Sequence, residues 1–317
     1  MFKKIVELRP SISSENVGDH IIQQYISETM DEIFGEHLTV TMPTRSYLTD
    51  RNYRHFSTAD YIFLCGTNLI ASNMNKRRQW DLQRSDRKNM KNVIMLGVGW
   101  WQYQDKANAY TSRLLHSILR KDVLHSVRDN YTLKKFQEIG INNVVNTACP
   151  TMWKLTPEKT SRIPSRKSNS VITTLTNYYK DDIFDRLMID ILFQNYSKIY
   201  VWLQAIEDYE QLVSMGILNK VEIIAPTIKS FDTVLSGDVD YVGTRLHGGI
   251  HALNHEKRTL IIAVDNRAIE ISKDTGLPVI AREKVAEELD CKINTSEKIN
   301  IQLPMEEINR WKKQFVM

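Results

Sequence analysis

Cysteine is scarce in this 317-residue chain: Cys65, Cys149 and Cys291 lie far apart and form no CxxC pair. That excludes a disulfide framework and a thiolate zinc site, and it fits a reducing, cytoplasmic setting. Long apolar runs are missing as well, since none reaches the ~18 residues that span a bilayer. The opening Met1-Phe2-Lys3-Lys4-Ile5-Val6-Glu7 meets charge too early for a signal peptide. Neither a membrane span nor secretion is expected. Charge of one sign is nearly balanced, with 42 basic residues against 38 acidic ones, so bulk electrostatics supply no reason to expect a nucleic-acid partner. No internal repeat or low-complexity tract occurs, and repeat architectures are set aside.

What is present is a chain with 42% hydrophobic and 25% charged residues, a balance that folds in water. Its length suggests about two domains. Short apolar runs at 5–8, 60–64, 93–98 and 125–127 alternate with helical spacing, as in 19–33, where Asp19 stands as the expected N-cap. Pro150, Pro157 and Pro164 then punctuate a stretch rich in Lys, Arg, Ser and Thr, the signature of a linker. The rhythm restarts with runs at 170–175, 198–203, 221–225, 240–242 and 259–264. The expected class is therefore α/β, with an N-terminal Rossmann-like domain over 1–150, a linker over 151–169 and a second Rossmann-like domain over 170–317 that ends in a helix at 304–316.

The densest chemical signal follows the run at 240–242: Gly243-Thr244-Arg245-Leu246-His247-Gly248-Gly249-Ile250-His251-Ala252-Leu253-Asn254-His255. A strand, a glycine-bearing turn and a helix start place free N–H groups where anions bind. Arg245 adds a planar fork suited to carboxylate or phosphate, and His247 a titratable donor. Two plainer readings compete. Arg245 pairs with a carboxylate of the protein while Gly248 and Gly249 allow close packing, or His247, His251 and His255, four apart on one helical face, hold a metal. The metal reading lacks an acidic ligand nearby in sequence, and no metal is expected.

The segment 242–253 resembles the signature of the polysaccharide pyruvyl transferase family. Asn16-Val17-Gly18-Asp19, Ser126-Val127-Arg128-Asp129-Asn130-Tyr131-Thr132, Asp265-Asn266-Arg267 and Thr275-Gly276-Leu277-Pro278 agree with it in order. The resemblance implies a GT-B-like fold, two Rossmann-like domains facing across a cleft, with acceptor contacts on the first domain and phosphoenolpyruvate on the second. It implies transfer of a pyruvyl group from phosphoenolpyruvate to a sugar of a surface polysaccharide, with phosphate released and no cofactor. Two departures stand out. Arg267 occupies a position where the family commonly has lysine, and Cys65-Gly66-Thr67-Asn68 replaces a run of glycines.

On that basis His247 and Arg245 are the catalytic candidates. Arg245, Leu246, His247, Gly248, Arg128 and Arg267 are expected to bind the donor, because a phosphate and a carboxylate call for clustered cationic forks and N–H groups. The acceptor is expected at Asn16, Asp19, Asn68 and Trp100. His247 is either proton donor or phosphate ligand, with Asp19 or Asp129 as the alternative acid. Arg128 either clamps the donor or pairs with Asp129.

Seven cations among residues 76–91 (Lys76, Arg77, Arg78, Arg84, Arg87, Lys88 and Lys91) meet only Asp81 and Asp86. They form either a solvated helix face or a landing site for a lipid-linked acceptor at a cytoplasmic membrane surface. The rival functions are a GT-B glycosyltransferase using a nucleotide sugar and a non-catalytic sugar- or anion-binding protein on the same fold.

Overall fold

Tyr61-Ile62-Phe63-Leu64-Cys65 and Val93-Ile94-Met95-Leu96 are apolar at nearly every position, as strands of a parallel sheet covered on both faces must be. Both are strands in the computed structural model, which describes residues 2–77 and 79–316, the Arg84 side chain excepted. The chain divides into two compact units, one of Met1–Ser14, Ile22–Trp153 and Leu303–Met317, the other of Glu15–Ile21 and Lys154–Gln302.

In the first unit β1 (Lys3–Arg9), β2 (His37–Pro43), β3 (Tyr61–Cys65) and β4 (Val93–Leu96) form a parallel sheet in the order β2-β1-β3-β4. A second parallel pair, β5 (His125–Val127) and β6 (Val144–Asn146), joins through the bridge between Val98 and Val127. Alternation along the strands feeds two cores. Ile5, Phe63 and Ile94 pack with Ile22, Ile26 and Met30 on one face, and Val6, Leu64 and Met95 pack with Leu114 and Leu115 on the other.

The second unit holds β7 (Ser170–Thr173), β8 (Lys198–Trp202), β9 (Glu222–Ile224), β10 (Asp240–Gly243), β11 (Thr259–Ala263) and β12 (Val279–Ala281), all parallel, in the order β12-β11-β10-β7-β8-β9. From β7 the chain runs outward through β8 and β9, then returns to the other flank of β7 and continues through β10, β11 and β12. The reversal falls between β7 and β10, and in such sheets ligands sit beyond the carboxyl ends of the strands at that switch point.

Three expectations about chain organisation need correction. The helix Met305–Lys313 belongs with the first unit, because Ile308, Trp311 and Phe315 share one face and close the aromatic surface of Phe34, Phe63 and Trp153. The stretch 151–169 is not a bare linker: Leu155 and Ile163 are buried and Pro157–Ser161 is a short helix capped by Thr156. The basic run is not one helix face. Residues 72–76 form turns, the helix is limited to Arg84–Asn89, and Arg78 lies outside the described residues.

Candidate active site

The turn after β10 is built by close approach. A side chain at Gly243 would put its Cβ 2.7 Å from the Thr174 main-chain nitrogen, so only glycine lets β10 run this close to the end of β7. A closed ring of hydrogen bonds then fixes the next residues. The Arg245 N–H donates to Thr174 Oγ1 (3.2 Å), the Thr174 hydroxyl meets the Tyr241 phenol (2.7 Å), and that phenol donates to the Arg245 carbonyl (2.9 Å). Burial raises the Tyr241 phenol well above its ordinary value, so it stays a donor.

Arg245 is the residue before the helix Leu246–Asn254, and its guanidinium is spoken for. Nη2 donates to both oxygens of Asp208 (2.6 and 2.8 Å) and Nε to the Leu175 carbonyl (2.8 Å). Nη1 keeps only a 3.5 Å contact to Asn16 Oδ1, and the ring of Tyr178 lies 4.9 Å away across the guanidinium plane. Arg245 and Asp208 are 4% and 1% exposed. Asp208 is held in turn by the N–H groups of Gln204 (3.0 Å) and Ala205 (3.2 Å). The pairing of the plainer alternative is thus present through Nη2, whereas Nη1 is not taken up by Asp208.

Helix geometry leaves the N–H groups of Leu246, His247 and Gly248 without intrahelical acceptors, the first such bond running from Gly249 to the Arg245 carbonyl at 3.1 Å. Leu246, His247 and Gly248 are all buried. The glycines serve packing as well, for a Cβ on Gly249 would press 2.7 Å from Ile261 Cδ1. A Cβ on Gly248 would lie 2.9 Å from Gln204 Nε2. Gln204, at the end of β8, is 1% exposed, and its Nε2 has no hydrogen-bond partner among the described residues. A buried unsatisfied donor costs about 1–3 kcal/mol, which makes Gln204 a candidate hydrogen-bond donor at this site. Nothing in its local sequence signals this; only the strand-end position does.

Asn16 and Gly18 reach the same place. The Gln204 carbonyl accepts from the Val17 N–H (3.1 Å), and a Cβ on Gly18 would lie 3.2 Å from Gln204 Oε1. Asn16 Oδ1 accepts from the Gly18 N–H (3.1 Å), so Asn16 caps the helix Val17–Phe34. Asp19, expected as the cap, sits buried inside the first turn, because the helix starts two residues before the apolar periodicity does. Both residues cluster with the second unit, not with the first.

Arg267 lies beyond β11, where Asp265 caps the helix Asn266–Thr275 and binds the Arg267 guanidinium at 2.7 Å. Its Nη2 also meets the Tyr178 hydroxyl at 3.4 Å. Tyr178 thus touches both arginines, one through its ring and one through its oxygen.

In the first unit Arg128 follows β5 and is 1% exposed. It donates to Asn68 Oδ1 and, at 3.3 Å, to Asp129, and the space its guanidinium fills is left by Gly99. The pairing with Asp129 is thus present. Trp100 is corrected as an acceptor platform: its indole N–H is used by Ser72 (3.2 Å), its ring packs edge-on against Phe136, and no face is open to a sugar. Lys76, Arg77, Lys88 and Lys91 are exposed, and the Arg77 guanidinium stacks 3.3 Å from the Trp101 ring centre.

At the far end of the helix that carries His247, His251 and His255 converge on Asp232, the one metal-competent group of His, Cys, Asp or Glu side chains among the described residues. His247 is not part of it.

Two parallel α/β units of this kind define a GT-B-like fold. Among solved structures, the UDP-GlcNAc 2-epimerase of Methanocaldococcus jannaschii, in complex with UDP-GlcNAc and UDP, is similar over 98% of this chain and 99% of its own, with TM-score 0.55 and 12% identity. The S. aureus MnaA–UDP structure is similar over 99% and 97%, with TM-score 0.55 and 9% identity. No curated protein sequence matches. The polysaccharide pyruvyl transferase family model matches residues 16–266, and the chain belongs to that family of transferases.

Proposed function

We propose that this protein transfers the enolpyruvyl group of phosphoenolpyruvate to a sugar of a surface polysaccharide or of its carrier-linked precursor, forming a pyruvate ketal. The observation that carries the reading is the placement of Arg245-Leu246-His247-Gly248 at the β7/β10 switch point of a family member. There the helix N-terminus and Nη1 of Arg245 lie beyond the strand ends, with His247 in the first helical turn.

The donor's methylene carbon takes a proton, and the resulting oxocarbenium carbon is attacked by one sugar hydroxyl. The C–O bond to phosphate then breaks, and a second hydroxyl completes the ketal. Of the two hydroxyl protons released, one balances the proton taken by carbon and the other leaves with the phosphate. The N–H groups of the first helical turn stabilise the departing phosphate. Arg245 is held rigid by Asp208 and Leu175 so that Nη1 faces the donor carboxylate, and Tyr178 keeps Arg245 and Arg267 in one cluster. His247 works as proton donor or as phosphate ligand, and the Gln204 amide supplies an N–H to a donor oxygen. Asn16 contributes to this same cluster, while Asn68 and Arg128 lie on the first unit. The reaction calls for no metal or organic cofactor.

The acceptor's carrier would meet the exposed cations of 76–91. No described helix is long and apolar enough to cross a membrane, so any membrane contact through these cations would be peripheral.

Phosphorus NMR of the protein with phosphoenolpyruvate and a panel of glycans tests the proposal. Acceptor-dependent appearance of inorganic phosphate is expected. Release of a nucleoside diphosphate from a UDP-sugar instead would assign a glycosyltransferase. Donor binding without turnover on any acceptor would assign a binding protein.

A further inference from the structure

We infer that Asp232, His251 and His255 form a transition-metal site that takes Zn²⁺ or another imidazole-seeking dication at the C-terminal end of the Leu246–Asn254 helix. The inference does not depend on the reaction proposed above.

Three observations carry it. First, the ligand atoms converge. His251 Nε2 lies 2.7 Å and His255 Nε2 3.3 Å from the same oxygen, Asp232 Oδ1, and all three donor atoms lie within 4.8 Å of one another. Tetrahedral zinc with bonds near 2.0–2.2 Å separates its ligand atoms by roughly 3.3 Å. The Asp232–His255 pair already has that spacing, and Asp232 and His251 need to part by about half an ångström as a hydrogen bond gives way to two metal bonds. Second, the site draws on two rigid elements. His251 and His255 are one turn apart, and Asp232 comes from the neighbouring helix Ile228–Leu235. Third, the His251 ring is held in its plane. It stacks on Phe231 (centroids 5.7 Å, 29° between planes), which stacks face to face on Trp202 (3.8 Å, 7°). Packing of this kind restricts rotation of the ring, so its orientation is set before a metal arrives.

His251 is buried, whereas His255 and Asp232 are each about one-third exposed. One side of the group therefore faces solvent, from which a fourth ligand comes. The charge pattern selects the metal. A single carboxylate is the only anionic ligand, and Lys159 and Lys257 bear on His255 electrostatically. Oxygen-seeking Mg²⁺ and Ca²⁺ gain too little from one carboxylate to overcome those cations, while Zn²⁺, Co²⁺ and Ni²⁺ bond the imidazole nitrogens strongly.

The test uses the full chain, purified without a polyhistidine tag and stripped with a chelator. Calorimetric titration is expected to show one equivalent of Co²⁺ per chain, with visible ligand-field absorption that Zn²⁺ abolishes and Mg²⁺ does not. His255→Ala and Asp232→Asn alter partly exposed side chains and should each weaken binding by tenfold or more, whereas Cys291→Ser leaves it unchanged. Paramagnetically shifted N–H resonances from two histidines in the Co²⁺ form would give the ligand count without any substitution. Absence of binding for Co²⁺, Zn²⁺ and Ni²⁺, affinity unchanged in His255→Ala, or loss of binding in Cys291→Ser would each overturn the inference.

Discussion

Replacing Asp208 by asparagine isolates the role of the buried Arg245–Asp208 pair, because it removes a charge and keeps the shape. In the native arrangement Asp208 accepts two bonds from Arg245 Nη2 and further bonds from the N–H groups of Gln204 and Ala205. In Asp208→Asn the one remaining carbonyl oxygen of the side chain satisfies one side, and the introduced amide nitrogen then opposes the guanidinium or the main-chain N–H groups, donor against donor. Breaking a buried pair in this way costs about 3–5 kcal/mol, since one charge is left uncompensated. Spread over a unit of this size, at about 2–4 °C per kcal/mol, the melting temperature should fall by roughly 10 °C. Circular dichroism melts at neutral pH measure this directly. Because an anion can replace the lost carboxylate, phosphoenolpyruvate should raise the melting temperature of the variant more than that of the native protein. A fall of less than about 2 °C would show that the pair is not the clasp described here.

Three further outcomes follow from the same geometry. His247→Ala should reduce phosphate release by ~100-fold or more if the imidazole transfers the proton; near-native turnover with weakened donor binding would make it a phosphate ligand. His125 is buried, donates from Nε2 to the Arg120 carbonyl and accepts the Met95 N–H at Nδ1, and burial lowers its pKa to about 4. The unfolded chain therefore binds the extra proton first, so this stability is complete above about pH 6.5 and drains away as pH falls toward 4, the loss reaching about 2 kcal/mol at pH 5. Urea denaturation at pH 7 and pH 5 in the native protein and in His125→Asn checks it, and an equal pH dependence in both would refute the assignment. Trp311→Ala should cost about 3–5 kcal/mol by opening the aromatic cluster over Phe63; a loss under about 1 kcal/mol would mean that the C-terminal helix only rests on the first unit.

The strands are legible because parallel sheets bury both faces, so runs such as 61–65 and 93–96 are apolar without alternation. The Arg-Leu-His turn is legible because its glycines and its place after a strand carry their own physical reasons. Partnership is what the sequence hides. Asp208 and Gln204 follow β8, some forty residues before Arg245, and nothing short of the strand order reveals that β8 and β10 flank β7. The cap falls on Asn16 rather than Asp19 although both side chains are competent, because hydrophobic spacing marks the buried face and not the first helical residue. Trp100 is no platform, since residue type tells of size and not of exposure. His251 and His255 lack an acid in the sequence for the same reason that Arg245 lacks its carboxylate there: Asp232 lies on another helix.

The assignment of Glu15–Ile21 to the second unit has a practical result for anyone dissecting the molecule. A fragment cut at residue 154 would leave behind Asn16, Val17 and Gly18, and with them the contacts made to Arg245 and Gln204. An expression design that grafts this heptapeptide onto residues 154–302, leaving Leu303–Met317 with the first unit, keeps those contacts in one fragment.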